Sequence, residues 1–326
     1  MMKFTRRAAL AGCVAASVVL SAPVASLAQS SEPITIVVPY AGGGTIDALV
    51  RMLADGMSTE LGQPVIVENR PGANGIVGAQ YVARSAPDGL TLLSGGTGPV
   101  SLNTLLRPDL PYTLDSFDSV AMLFEGSLSI TVPSVLEVET LEEFVEFARN
   151  AGRPMRYGTL GPGSVTHLYG LMMSGAFGFD VVDVAYRNNP SSLVDLIAGQ
   201  AEISNATPLA LVEHQRAGDV RILALTTEER DPNFPDIPSI VELGHPELVA
   251  SFWTALHAPA GTPPEAIERL SAAAIKAMEN PALLEILGNS GMIDRAGGPD
   301  VLDAQLQRDQ ESWGAVVREH GIVLTD

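Results

Sequence analysis

Residues 34–89 read ITIVVPYAGGGTIDALVRMLADGMSTELGQPVIVENRPGANGIVGAQYVARSAPDG. Ile34–Val38 is a run of β-branched residues, apolar except for Thr35, the pattern of a strand buried on both faces. Gly42-Gly43-Gly44 then makes a turn, and apolar residues recur at helical spacing through Ala48–Leu61. A strand that ends in glycines and opens a helix leaves backbone N–H groups pointing out of the helix start, which suits an anion. No Gly-Lys-Ser/Thr follows the glycines, so a nucleotide P-loop is excluded. The turn can cradle a carboxylate through Tyr40, Ala41, Gly43, Gly44 and the Thr45 hydroxyl, or it can be a plain tight turn. Asp47 fits the role of a structural residue at the helix start. A second glycine-dense loop, VENRPGANGIVGA at 67–79, leads into another helix.

Outward from this stretch, strand-like and helix-like runs alternate. Candidate strands are Ile34–Val38, Val65–Val67, Leu90–Ser94, Leu128–Val132, Met155–Gly158, Val181–Ala185, Glu202–Asn205, Ile222–Thr226 and Trp253–Ala258. Ala48–Leu61, Leu141–Ala151, Ser191–Ala198 and Ala210–Ala217 are amphipathic, and Pro263–Glu319 reads as helices packing back on the first part of the chain. The alternation predicts an α/β protein with mostly parallel sheets, whose ligands bind outside the carboxyl ends of the strands. One sheet holding all these strands would be very wide, so two lobes are the more natural arrangement.

The strand–glycine–helix pattern returns at Tyr157-Gly158-Thr159-Leu160-Gly161-Pro162-Gly163-Ser164-Val165-Thr166-His167-Leu168. Gly161, Gly163, Ser164, Thr166 and His167 are its candidate ligand contacts, as a second set of N–H and hydroxyl donors; His167 taken alone reads rather as a satisfied structural histidine. Thr97 in Ser94-Gly95-Gly96-Thr97-Gly98, and Asn205 and Thr207 after a later strand, face the same end of the fold. Arg187 offers either a bidentate fork to a carboxylate or a hinge salt bridge. Trp253 is expected in packing between the lobes.

The 326 residues are 46% hydrophobic with a formal net charge of −19, enough for a large core but without the basic stripe that nucleic acid requires. There is no G-x-S-x-G elbow, no H-E-x-x-H and no cysteine pair, and the five histidines are scattered. Nothing points to an enzyme, a metal or a cofactor.

Residues 1–28 have the form of a cleavable signal peptide. Lys3, Arg6 and Arg7 precede an apolar run Ala8–Leu20, and Ser26-Leu27-Ala28 supplies small residues before Gln29. Both general and twin-arginine export fit. Leu10-Ala11-Gly12-Cys13 has the look of a lipobox but leaves almost no apolar segment ahead of it. Cys13 is the only cysteine, so a chain cleaved at Gln29 has none, which suits a bacterial periplasm.

These motifs resemble those of the substrate-binding proteins of tripartite tricarboxylate transporters, the TctC or Bug family. Val38-Pro39-Tyr40-Ala41-Gly42-Gly43-Gly44-Thr45-Ile46-Asp47, the segment Val65–Gly75, Ala86-Pro87-Asp88-Gly89-Leu90-Thr91-Leu92-Leu93 and the 157–168 loop stand in family order, and Trp313–Ile322 is like the family's ending. The resemblance implies a type II periplasmic binding protein fold, two α/β lobes with a ligand cleft between them. Lobe 1 would be 30–130 plus 250–326, and lobe 2 would be 131–249. It implies a monomer that captures a small organic carboxylate and delivers it to integral membrane subunits of the TctA/TctB type. The same scaffold serving a membrane sensor kinase is the alternative. Relatives often carry a hydroxyl residue where Ile46 stands and an acidic residue where Ala206 stands.

Overall fold

The computed structural model describes residues 32–186 and 189–324. The expected signal peptide and Arg187 lie outside the described residues. The strands are β1 (Ile34–Val38), β2 (Val65–Asn69), β3 (Thr91–Gly96), β4 (Phe117–Ser127), β5 (Ser129–Pro133), β6 (Met155–Thr159), β7 (Val181–Ala185), β8 (Ile203–Ser204), β9 (Val220–Leu225), β10 (Ser251–Pro259) and β11 (Met292–Gly297). The α-helices are α1 (Thr45–Leu61), α2 (Ile76–Ala83), α3 (Asn103–Leu106), α4 (Leu141–Asn150), α5 (Val165–Phe177), α6 (Asn189–Ile197), α7 (Pro208–Ala217), α8 (Pro264–Met278), α9 (Pro281–Asn289) and α10 (Pro299–His320).

Two sheets result, a six-stranded one ordered β11-β4-β10-β3-β1-β2 and a five-stranded one ordered β7-β6-β8-β5-β9. Both are mixed. β1 pairs parallel with β2 and β3, and β6 with β7 and β8, whereas β10 pairs antiparallel with β3 and β4, β11 with β4, and β5 with β8 and β9. The expectation of mostly parallel sheets is therefore corrected. The chain leaves the first sheet along β4 and returns along β10, and strands that leave and return side by side must run opposite ways. The helical reading of Pro263–Glu319 is also corrected, because β11 interrupts it. Gly291, at φ +66°, turns the chain out of α9 and into that edge strand.

The first sheet is covered on both faces, which is why β1 is apolar except for Thr35. Ile34, Ile36 and Val38 pack with Leu49, Leu53 and Met57 of α1 and Leu270 and Ala274 of α8. Val37 points the other way, into a cluster with Leu93, Val100, Trp253 and Leu302. Trp253, expected in packing between the lobes, lies in the core cluster of the first sheet and also lines the cavity to which both sheets contribute. In the second sheet, Ile130, Val132, Met155 and Tyr157 pack with Phe144 of α4 and Leu168 and Met173 of α5.

The two crossings between the sheets lie side by side. Thr226 holds them together: its hydroxyl donates to the Ala250 carbonyl at 2.6 Å and accepts from the Leu128 N–H at 3.0 Å. Its main chain bonds the same two residues, each at 3.0 Å. Helix α10 runs along both lobes, with Leu302 in the cluster of the first sheet and Trp313 in that of the second.

Candidate functional site

A cavity of about 720 Å³ opens at the carboxyl ends of β1, β3, β6 and β8, so both sheets contribute walls. Four helical segments start on it. The first is α1, whose N-cap Gly44 has no side chain to satisfy the leading N–H groups; the first intrahelical bond is Ala48 N–H to the Gly44 carbonyl at 3.0 Å. The Thr45, Ile46 and Asp47 N–H groups are therefore left without helical acceptors at the cavity edge. The second is α5, capped by Ser164, and the third is α7, where Thr207 makes no side-chain cap. The fourth is a π-helical turn, Thr97–Leu102, following β3; irregular helices of this kind recur at functional sites.

Asp47 is the one charged side chain in the described wall. It is 6% exposed and fully engaged. Its carboxylate accepts from the Gly43 N–H at 2.9 Å, from Asn69 Nδ2 at 2.8 Å, and from Arg51 Nε and Nη2, each at 3.1 Å. The Arg51 hydrogen bonds, foremost, hold the carboxyl down at about 2. Asn69 also donates to the Tyr40 carbonyl at 3.2 Å, so Asp47 and Asn69 between them fix the whole turn. Gly43 sits at φ +91°, where a side chain is strained. Its N–H is taken up by Asp47. Gly43 is thus a hinge of the turn, absent from the wall, while Tyr40, Ala41, Gly44 and Thr45 line it.

The second turn is wired differently. Its N–H groups are largely engaged within the turn: Leu160 donates to Thr166 Oγ1 at 3.0 Å, Gly161 to Thr159 Oγ1 at 2.9 Å and Gly163 to His167 Nδ1 at 3.3 Å. The Ser164 hydroxyl donates to the Gly161 carbonyl at 2.7 Å and accepts from the His167 N–H at 3.2 Å. Ser164 and Thr166 line the cavity; Gly161, Gly163 and His167 do not. Gly163 instead packs under the C-terminal tail, where an added Cβ would stand 2.5 Å from Leu324 Cδ1. His167 is half-buried, and burial lowers its pKa against the opposing pull of Asp183. What this turn leaves for a ligand is the start of α5, where Val165 and Thr166 occupy the first positions.

Thr97, Asn205 and Thr207 all reach the wall. The Thr97 hydroxyl accepts the Trp253 N–H at 2.9 Å. Asn205 is buried, with its Oδ1 against the Tyr157 hydroxyl and its Nδ2 on the Ser129 carbonyl at 2.5 Å. The sequence reading missed Asn74, Leu128, Leu209, Phe252 and Met292. Asn74 had a visible signal in the glycine-dense loop: it sits at φ +50° between Ala73 at +46° and Gly75 at +87°, a run of left-handed residues that thrusts its side chain toward Asn103. Phe252 and Met292 carried none, since they arrive from distant strands.

The paired crossings, the two mixed sheets and a cavity ringed by helix starts define a two-lobe α/β binding protein. The chain belongs to the family described as tripartite tricarboxylate transporter family receptor, whose model matches residues 49–322. Protein BugT of Bordetella pertussis is 32% identical over 327 residues, spanning 99% of this chain and all of that one. Among solved structures, MatC from Rhodopseudomonas palustris with bound malate is 30% identical with a TM-score of 0.76, covering 88% of this chain and 99% of that one. A second R. palustris protein, solved with adipate, is 28% identical with a TM-score of 0.79, covering 90% and 99%.

Proposed function

We propose that this protein captures a small organic carboxylate in the cavity between its sheets and hands it to the integral membrane subunits of a tripartite tricarboxylate transporter. The observation that carries the reading is the combination of uncapped helix starts on the cavity with a wall whose only described charge, Asp47, is already neutralised by Arg51. Neutral N–H and hydroxyl donors at helix N-termini suit an anion, and hydrogen bonds to a charged acceptor contribute about 1.5–3 kcal/mol each. Malate and adipate in the two related structures support the carboxylate class. Residues 1–28 would direct export to the periplasm and be removed near Gln29. The lobes would be 30–130 plus 250–326, and 131–249.

The ligand has no free amine in this reading. Asp47 is engaged, Ala206 stands at a wall position where relatives often carry an acid, and an ammonium group buried without a partner is costly. A thermal-shift panel of di- and tricarboxylates, aromatic acids, aspartate and glutamate tests both statements. A true ligand at about 100 times its Kd adds roughly 2.7 kcal/mol of stability. A response to aspartate or glutamate alone would overturn the amine-free assignment, and no response to any acid would overturn the carboxylate assignment.

A further inference from the structure

A buried carboxylate is wired to Trp253, a residue of the cavity wall. Asp309 of α10 is 4% exposed. Its Oδ2 accepts the Trp253 indole N–H at 2.8 Å and its Oδ1 accepts Gln305 Nε2 at 2.9 Å. Burial pushes its pKa up, and the hydrogen bonds from Trp253 and Gln305 pull it back. Trp253 lies in β10, and its backbone N–H donates to Thr97 Oγ1 at 2.9 Å. The carbonyl of Trp253 packs so tightly on β3 that a Cβ added at Gly96 would stand 2.2 Å from it. Trp253 is therefore held at its ring by Asp309, and at its backbone by Thr97 on one side and by pairing opposite Glu125 of β4 on the other.

The consequence falls on Thr97. Its hydroxyl oxygen already accepts a hydrogen bond, so its proton is the part left to offer. No protein acceptor is found for that proton among the described residues, and Thr97 faces the cavity. A hydroxyl oriented in this way donates to whatever enters, which favours an anion.

We propose that Asp309 is a positioning residue for ligand binding: by anchoring the Trp253 indole it fixes the β10 backbone that orients the Thr97 hydroxyl as a donor to the bound acid. This rests on the cavity being the carboxylate site. Asp309 touches no ligand and acts through Trp253.

The chain has two tryptophans, so Trp313→Phe leaves Trp253 as the sole emitter. In that background Asp309→Ala should shift Trp253 emission to longer wavelength and raise its quenching by acrylamide. Asp309→Asn should fall between Asp309→Ala and the parent, because Asn keeps an oxygen for the indole but its new NH2 faces that of Gln305, whose Oε1 already accepts from Arg308 Nη2 at 2.5 Å. Calorimetry with adipate and malate forms the second arm. Asp309→Ala should weaken binding about tenfold, the scale of one hydrogen bond to a charged acceptor. In a Thr97→Val background it should add nothing, since a pair acting through one contact is non-additive. Asp303→Asn, on the same helix and bonded to Ser119, serves as the control without effect. Unchanged emission in Asp309→Ala overturns the proposal, as does a loss of affinity that persists undiminished in Thr97→Val. If Asp309→Ala fails to fold, Trp253→Phe removes the same link and should likewise add nothing to Thr97→Val. If wild-type protein binds neither acid, the same comparison is made with the acid that responds in the thermal-shift panel; no response to any acid overturns the carboxylate reading, whereas a bound acid whose affinity is unchanged in Asp309→Ala overturns this proposal alone.

Discussion

The turn at 40–47 and the turn at 157–168 share one sequence pattern, and the structure puts them to different uses. Each follows a strand, contains glycines and opens a helix on the same cavity. In the first, a single N–H of the turn is answered: Asp47, in the opening turn of α1, accepts from Gly43 as His167 does from Gly163, and Arg51 and Asn69 hold that carboxylate in place. The leading N–H groups of α1 stay free. In the second, Thr159, Thr166, Ser164 and His167 turn inward and engage the turn's own N–H groups. A glycine turn is a candidate anion site only to the extent that its donors are not already answered, and that is decided by side chains one turn into the helix. Ile46 in the first turn has no polar group with which to cap, whereas Thr166, at the same helix position, does.

The largest break in this contrast comes from Asp47→Ala. It removes the acceptor for Gly43, Asn69 and Arg51 at once. The expected stability loss is about 2 kcal/mol, at the modest end for a buried acceptor because Arg51 is half exposed and its charge is screened. Affinity for a bound acid should fall by about a hundredfold, because the donors of α1 lose their frame. Urea denaturation and calorimetry check the pair of effects. Full affinity in Asp47→Ala would mean that the first turn needs no support from that carboxylate.

Gly163→Val should show the reverse balance. The glycine is at φ +78° and the new side chain meets Leu324, so about 1–3 kcal/mol of stability should be lost. Affinity in the folded fraction should change by less than about threefold, since Gly163 is absent from the wall. If binding vanished while stability held, the second turn would be a ligand cradle in its own right. Smaller still is the paired comparison of hydroxyls. Thr45→Val should cost binding about 1 kcal/mol and leave stability alone, because its exposed hydroxyl has no protein partner among the described residues. Ser164→Ala should cost about 1 kcal/mol of stability through the lost cap on α5 and less in binding. Equal losses of affinity in the two variants would erase the distinction.

Both turns were legible in the sequence as strand, glycines and helix start, because that pattern is local. Which residues face the ligand was not, because it depends on who accepts from whom. Nothing in Gly163-Ser164-Val165-Thr166-His167 reveals that His167 Nδ1 takes the Gly163 N–H. The same limit applies to the fold. β1 announces itself by its β-branched residues and β6 by the alternation of Met155 and Tyr157 with Arg156, but β4 begins with Phe117-Asp118-Ser119 half-buried and went unread. β11 buries only Met292 and Ile293 lies open, so it carries no strand signature apart from its place beside β4. Leu128, Phe252 and Met292 reach the cavity through the crossings and this edge, which is why the apolar part of the wall was invisible.

The last and smallest effect separates the turns by pH. Asp47 has its carboxyl lowered from 3.8 to about 2. A depressed acid contributes stability that is full above the unfolded value and is lost as pH falls through the folded one, so the first turn should hold until pH drops below about 4. His167 has its pKa lowered from 6.5 by burial. Its Nδ1 accepts from Gly163, which requires the neutral ring with the proton on Nε2. Below 6.5 the unfolded chain takes up a proton more readily than the folded one, so folding stability declines as pH falls from that point toward the folded value. One proton sets a ceiling of about 1.4 kcal/mol per pH unit on that slope. Mild acid should therefore loosen the second turn while the first stays intact. Comparing wild type with His167→Gln by urea denaturation at pH 7 and 5.5 isolates the term: the variant, which has no imidazole to protonate, should lose less stability between the two. Parallel losses in both proteins would show that the Gly163–His167 bond does not govern the response of that turn to acid.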